Sequence, residues 1–150
     1  MTAPSPPVKR YTKKQMGDAC EMLIAAELTL AGIPALKVPD NWPGYDVVAQ
    51  PEGDAEPLRI SVKSRTYMTG ANFVGFSVDD KFDWLAIVLL NCPEQKRRVF
   101  LIPLAVARDK ARRNRPGTKS ENERYWSLVE VPKLFPEFEN NFSLQPGGIV

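Results

Sequence analysis

The run WLAIVLL, residues 84–90, constrains the fold more than any other part of this 150-residue sequence. Seven consecutive apolar residues are typical of a β-strand that is covered on both faces. The surrounding patterns read, in order, as a helix, several strands, a second helix and a last strand. That order predicts an α+β or mixed α/β domain built around a sheet.

The helix and strand signals divide the chain as follows. The first helix begins after Thr12, which forms a capping box with Gln15, and runs to about Ala31. The predicted core stripe of this helix is Met16, Cys20, Leu23 and Leu30. The other strands are predicted at Ala35–Val38, Tyr45–Gln50, Leu58–Arg65, Phe73–Val78, Val99–Ile102 and Tyr125–Val131, with the second helix at about 103–113. Residues 1–10 are Pro-rich and predicted to be a disordered tail, and 11–150 a single domain.

The amino-acid composition limits the kinds of catalytic and metal-binding site that the chain can form. The sequence contains no histidine and two cysteines, Cys20 and Cys92. It therefore excludes His-dependent triads, zinc sites with His ligands and Cys₄ zinc sites. Carboxylates, lysines, hydroxyls and oxygen-bound hard cations remain. With no secretory signal and no segment long enough to span a bilayer, we expect a cytoplasmic protein with reduced thiols and no membrane partner.

The net charge of +2 hides clusters of basic residues. The largest lies at 108–119 and includes Arg108, Lys110, Arg112, Arg113 and Arg115. Clustered bases suit a polyanion such as nucleic acid, while the alternative is a set of solvated faces.

The stretch LRISVKSR, residues 58–65, alternates perfectly. Leu58, Ile60 and Val62 point to one side of the predicted strand, and Ser61 and Lys63 to the other. If the strand that contains Asp46 pairs with it as a hairpin, Asp46 can share a face with Ser61 and Lys63. An acid and a lysine placed in this way, near a helix that carries Glu21, can hold a divalent cation and a phosphate together.

The segments GDACE, LTLAGI, GYDVVA and ISVKSR resemble, in this order, the PD-(D/E)xK phosphodiesterase superfamily, especially its Holliday-junction-resolvase-like and restriction-endonuclease-like small domains. The similarity covers about residues 11–102. It implies a mixed central β-sheet flanked by helices, a Mg²⁺- or Mn²⁺-dependent endonuclease and DNA as the partner. By resemblance Glu21 and Asp46 bind the metal together with the backbone carbonyl of Val62, and Lys63 completes the catalytic set. Junction- and duplex-cutting relatives often act as dimers, so a homodimer is compatible with it.

Ser61 departs from this family, which has an acid or sometimes glutamine at the corresponding position. Either Glu21 and Asp46 suffice, or another acid has taken over, or the site is inactive. Glu27 is an alternative helix acid, because periodicity places it nearer the predicted stripe than Glu21. Two hypotheses follow: a metal-dependent nuclease that acts on DNA, and a nuclease-fold domain that binds nucleic acid or a protein without cleavage.

Overall fold

A computed structural model describes residues 10–149; the predicted disordered tail therefore lies almost wholly outside the described residues. The described chain contains three α-helices, eight β-strands and a short 3₁₀ turn. The helices are α1 (Lys13–Leu30), α2 (Leu104–Lys110) and α3 (Val131–Leu134). The strands are β1 (Ala35–Lys37), β2 (Val47–Ala49), β3 (Leu58–Thr66), β4 (Phe73–Ser77), β5 (Trp84–Leu90), β6 (Arg97–Pro103), β7 (Arg112–Arg113) and β8 (Glu123–Ser127). Within this range no helix is long and apolar enough to cross a membrane.

The strands form two sheets. The central sheet has the order β1-β2-β3-β5-β6, and the smaller one β4-β8-β7. β3 and β5 run parallel, whereas the other neighbouring pairs of the central sheet are antiparallel. The predicted mixed sheet is therefore present.

WLAIVLL is β5, and both of its faces are buried, as predicted. Leu85, Ile87 and Leu89 belong to one hydrophobic cluster, which also contains residues of the small sheet and the C-terminal segment. Ala86 and Val88 belong to a second cluster, which contains the buried residues of α1. The central sheet is thus a layer between α1 on one side and the small sheet on the other.

The first helix begins as predicted. Thr12 caps it, and the reciprocal hydrogen bonds with Gln15 complete a capping box. The predicted core stripe is partly wrong, because Leu30 is 83% exposed. Cys20, Ile24 and Leu28 are the buried residues, spaced four apart along one face of the helix. Glu21 and Glu27 each lie about 60° from Ile24 on a helical wheel, one on each side of the stripe. Glu27 is therefore on a flank and partly exposed, instead of at the centre.

The C-terminal third differs most from the sequence predictions. The second helix ends at Lys110 because Ala111 has extended backbone angles, and Arg112–Arg113 then pair with β8. The last strand ends at Ser127, and Val131 begins a helical turn instead of ending the strand. The C-terminal segment packs against the central sheet: Phe135 and Phe138 are buried, and Arg98 binds Glu139 at 2.8 Å.

Gly75 allows the small sheet to close. It lies opposite Tyr125 in the β4–β8 pair. A Cβ atom at this position would overlap the carbonyl oxygen of Arg124 and press on the side chain of Tyr125. Any larger residue therefore forces β4 and β8 apart.

Candidate active site

Asp46 lies at the point where the chain enters β2. Its backbone N–H donates to the carbonyl of Ile60, and its own carbonyl accepts from Val38 N–H. The carboxylate accepts the backbone N–H of Val62 at 2.7 Å. Backbone N–H groups of a strand lie in the plane of the sheet, so this hydrogen bond holds the Asp46 carboxylate beside β3, just before β2 begins.

Glu21 approaches the same edge from α1. Its side chain is only 18% exposed. Burial raises the pKa of Glu21, and the negative charge of Asp46 raises that pKa further. The charges of the helix acid and the strand acid therefore interact unfavourably.

A lysine that the sequence analysis did not select lies among these acids. The ammonium of Lys37 is 2.7 Å from Asp40, 3.8 Å from Glu21 and 3.9 Å from Asp18. Hydrogen bonds from Lys14 and Lys37 lower the pKa of Asp40 to about 2. The positive charge of Lys37 also counteracts the upward shift in the pKa of Glu21. Two lysines thus neutralise part of a group of four carboxylates: Asp18, Glu21, Asp40 and Asp46.

The backbone carbonyl of Val62 is directed to the same edge. In a β-strand the N–H and C=O of one residue point to the same neighbouring strand. The Val62 N–H points to the Asp46 carboxylate, so the Val62 carbonyl points in the same direction, beside the part of β3 that β2 does not cover. The edge therefore combines two adjacent carboxylates with one main-chain oxygen.

Ser61 and Lys63 lie on the other face of β3 from the residues that pack against α1. Ile60 and Val62 belong to the α1 side of the sheet. Ser61 is 4% exposed and pairs with Leu85 of β5. Lys63 is partly buried and lines a cavity beside the small sheet. A larger acid at position 61 would therefore have to enter a packed region.

The register of the hairpin relates Asp46 to Ser61. Val47 pairs with Ile60, so the next aligned positions along the hairpin are Asp46 and Ser61. The alternation of the two strands predicts this alignment. The chain turns at Asp46. The preceding residue, Tyr45, packs against the hydrophobic cluster on the small-sheet side. The carboxylate of Asp46 consequently meets the backbone of β3, while the Lys63 side chain enters the cavity. A shared cleft for Asp46, Glu21 and Lys63 remains a prediction.

Three other acids have distinct surroundings. Asp80 accepts the backbone N–H of Ser77 at the turn after β4, and Asp83 pairs with Arg59 at the start of β5. Both are thus turn and strand-entry residues. For Glu27 the structure records no ion pair or side-chain hydrogen bond within residues 10–149.

The basic cluster at 108–119 is partly neutralised. Lys110 contacts Glu137 at 3.7 Å, and Arg112 contacts Glu130 at 3.0 Å. Arg108, Arg113 and Arg115 are exposed. Arg108, Arg113 and Arg115, together with the exposed Lys119, are therefore the members of the cluster that remain available to a polyanion.

The donor set is small for a metal. In the described part of the chain, no group of three or more acids or cysteines is arranged to hold an ion. Mg²⁺ typically binds through one or two carboxylates, with the other positions filled by water and substrate phosphates. Glu21, Asp46 and the Val62 carbonyl are the residues that could meet that smaller requirement.

Sequence reasoning missed the cavity beside Lys63. Its volume is about 570 Å³, and its walls come from β3, β4 and β8 and from the loop after β7. The contributing residues lie up to 62 positions apart, Lys63 at one end and Tyr125 at the other. The row of polar residues Ser61, Lys63 and Arg65 on β3 is visible in the sequence, but the strands that cover this side of β3 come from distant segments.

Comparison with solved structures defines the fold. The bacterial homing endonuclease I-Ssp6803I is similar, with a TM-score of 0.51 over 76% of this chain and 89% of that chain, at 18% sequence identity. The chain has a nuclease fold. The restriction-endonuclease-like architecture inferred from the resemblance is thereby confirmed.

A second solved structure is also similar to the nuclease-fold chain, at a lower score. It is Hjc, a Holliday junction resolvase from Archaeoglobus fulgidus, with a TM-score of 0.47, 21% identity and coverage of 77% of this chain and 90% of that chain. No protein-family model matches the sequence. No curated protein matches it either.

Proposed function

We propose that this nuclease-fold chain is a divalent-metal-dependent phosphodiesterase that acts on DNA. The observation that supports it best is the pair of interacting carboxylates, Glu21 and Asp46, beside the part of β3 that β2 does not cover. Two acids that repel each other favour a cation, and Mg²⁺ or Mn²⁺ prefers their charged oxygens.

The residues would divide the chemistry as follows. Glu21 and Asp46 would hold the ion, with the Val62 carbonyl as a third oxygen. When bound, a divalent ion polarises a phosphoryl oxygen and lowers the pKa of water. The Val62 N–H fixes the orientation of the Asp46 carboxylate. Lys63 would neutralise a phosphate oxygen from the other side of the same strand, provided that the DNA backbone crosses β3.

The exposed arginines would supply the sequence-independent attraction to DNA. Arg113 and Arg115 are exposed and lie beside β8, whereas Arg112 is paired with Glu130. Each duplex phosphate that is neutralised contributes about −0.9 to the slope of log affinity against log salt concentration. Replacing Arg113 and Arg115 by Gln should therefore flatten that slope, and Arg112→Gln should change it less.

Two observations favour a second candidate, a DNA-binding domain that does not cleave. Ser61 supplies no carboxylate, and the Lys37 ammonium already contacts Glu21, Asp18 and Asp40. A tethered cation of this kind can replace a metal electrostatically without polarising a phosphate or activating water.

Metal titration separates the two candidates. Mn²⁺ binding would be measured by calorimetry on the unmodified protein and on Asp46→Asn, followed by cleavage of plasmid and branched DNA. The nuclease candidate requires Mn²⁺ binding that Asp46→Asn removes, together with metal-dependent cleavage. DNA binding without Mn²⁺ binding or cleavage would instead support the second candidate.

A further inference from the structure

The cavity beside Lys63 lies on the face of β3 that is opposite α1, and neither Glu21 nor Asp46 lines it. We call it the β3–β8 cavity. Its lining includes Lys63, Arg65, Phe73, Asn114, Arg124 and Tyr125. Its volume of about 570 Å³ falls in the range of about 300–1,000 Å³ that is usual for small-ligand sites.

Two arginines of this cavity are held in place without being neutralised. Arg65 donates to the backbone carbonyls of Ser64 at 2.8 Å and Phe73 at 3.3 Å. Arg124 donates to the carbonyls of Glu121 and Glu123, both at 2.9 Å. These hydrogen bonds fix the guanidinium groups and leave their charge available to an anion.

Three other arginines of the described chain are instead neutralised by carboxylates. Arg59 pairs with a carboxylate at 3.2 Å, Arg98 at 2.8 Å and Arg112 at 3.0 Å. Arginines that are bound only by carbonyls are thus concentrated at the β3–β8 cavity. Burial lowers the pKa of Arg65, but a guanidinium remains charged at neutral pH.

An exposed aromatic ring borders these cations. Phe73 is 46% exposed, although it belongs to a strand. Its ring meets Tyr125 edge-to-face, with centroids 5.4 Å apart and an interplanar angle of 81°. Tyr125 is fixed in turn by a hydrogen bond from its hydroxyl to the Asn114 amide oxygen. The Phe73 ring is therefore rigidly supported and open to solvent.

The acids of the cavity do not cancel its cations. Asp80 already accepts the backbone N–H of Ser77, and Glu123 is the second carboxylate. Lys63, Arg65 and Arg124 outnumber these two acids. An anion with a flat apolar part matches both features of the cavity, the fixed cations and the exposed ring.

We propose that the β3–β8 cavity binds an unpaired nucleotide, with its phosphate against Lys63 and Arg65 and its base stacked on Phe73. Aromatic side chains beside a basic groove bind single strands in this way, because each base has a face that can stack. In an intact duplex those faces are covered by neighbouring bases. The proposal rests on DNA as the ligand of the proposed function and narrows it to DNA that contains an unpaired strand.

The test compares single-stranded and duplex DNA in EDTA, so that no metal or cleavage step contributes. Fluorescence anisotropy would measure the Kd of a 15-nucleotide thymidine strand and of a 15-base-pair duplex. For Phe73→Ala we expect the single-strand Kd to rise about 5- to 150-fold, the equivalent of one lost base–aromatic stack. The duplex Kd should change less than twofold. Phe73→Trp should bind the single strand at least as tightly as the unmodified protein.

Two further variants sharpen the comparison. Leu36→Ala removes an apolar side chain that is 71% exposed on β1, at the far edge of the central sheet, and should change neither Kd. Arg65→Gln should reduce the salt slope for the single strand by about 0.7, the contribution of one phosphate contact. Melting temperatures of all variants would establish that each is folded.

The outcomes decide the proposal separately from the proposed function. Equal losses of single-strand and duplex affinity in Phe73→Ala, or no loss of either, would overturn it. A selective loss supports it even if the unmodified protein cleaves no DNA, in which case the nuclease function alone would be rejected.

Discussion

The most informative perturbation is at Asp46, because this carboxylate has a structural and a proposed chemical role that two substitutions separate. Its side chain accepts the Val62 N–H at 2.7 Å in a partly buried position. Asp46→Ala removes both the acceptor and the charge. Asp46→Asn keeps an oxygen that can accept the same N–H and removes only the charge.

The hydrogen bond sets the size of the expected effect. A hydrogen bond to a charged group contributes about 1.5–3 kcal/mol to the free energy of unfolding. At about 2–4 °C per kcal/mol for a chain of this size, Asp46→Ala should lower the Tm by about 3–12 °C. Asp46→Asn should lower it by about 2–6 °C, since a neutral acceptor worth about 0.5–1.5 kcal/mol remains.

Scanning calorimetry at pH 7, with and without Mn²⁺, measures both roles. A ligand that binds only the folded protein raises its Tm, so Mn²⁺ should raise the Tm of the unmodified protein and of neither variant. Equal Tm values for the two variants without metal would refute the structural argument. A normal Mn²⁺ response in Asp46→Asn would refute the role of Asp46 as a ligand.

The same variant reports on Glu21. Because the folded protein raises the pKa of Glu21, it binds more protons there than the unfolded chain does between the two pKa values. The contribution of Glu21 to stability is therefore complete below its unfolded pKa, near 4.5, and declines as the pH rises through its folded pKa. Asp46→Asn removes one cause of the shift, so this decline should become smaller. NMR titration of Glu21 measures the change directly, and an unaltered pKa would show that the two carboxylates do not interact.

Three further predictions concern neighbouring positions. Ser61→Glu places a carboxylate at a position that is 4% exposed, so we expect a lower Tm without metal. Mn²⁺ should restore part of the lost Tm in scanning calorimetry. A lower Tm that Mn²⁺ does not restore would show that the new acid reaches no metal. Lys37→Met removes the ammonium that contacts Glu21, Asp18 and Asp40, and should tighten Mn²⁺ binding in a calorimetric titration, whereas unchanged affinity would place the metal elsewhere. Gly75→Ala forces a Cβ against the Arg124 carbonyl and should destabilise the protein by about 1–3 kcal/mol in urea unfolding, an effect that a freely adjustable β4–β8 pair would not show.

The sequence predicts the central sheet well because its strands carry local patterns. The seven apolar residues of β5 and the alternation of β3 are each visible within a few positions, and both strands are present with nearly the predicted bounds. β7 has only two residues, Arg112 and Arg113, and no period can appear in so short a segment. The pairing of β7 with β8 depends on tertiary contacts. The predicted second helix, at about 103–113, is therefore longer than the observed helix, which ends at Lys110.

The same distinction applies to the site. Asp46 could be selected from the sequence because it adjoins a strand that alternates. Lys37 lies in a three-residue strand with no pattern, and its contact with Glu21 depends on how β1 packs beneath α1. Arg124 and Phe73 line the same cavity as Lys63 only because the small sheet covers this face of β3. Contacts between distant segments therefore determine the residues that local patterns cannot identify.

The net charge around Glu21 and Asp46 depends on both the serine at position 61 and the lysine at position 37. Asp18, Glu21, Asp40 and Asp46 face only two ammonium groups in the described chain, those of Lys14 and Lys37, which leaves two negative charges at this edge. One divalent cation would neutralise that remainder without a carboxylate at position 61. A further acid there would raise the repulsion on Glu21, whose pKa is already raised by burial and by Asp46. With serine at position 61, the site has one oxygen ligand fewer, and the charge of its carboxylates still suits a divalent ion. A phosphate of the DNA could supply the remaining oxygen.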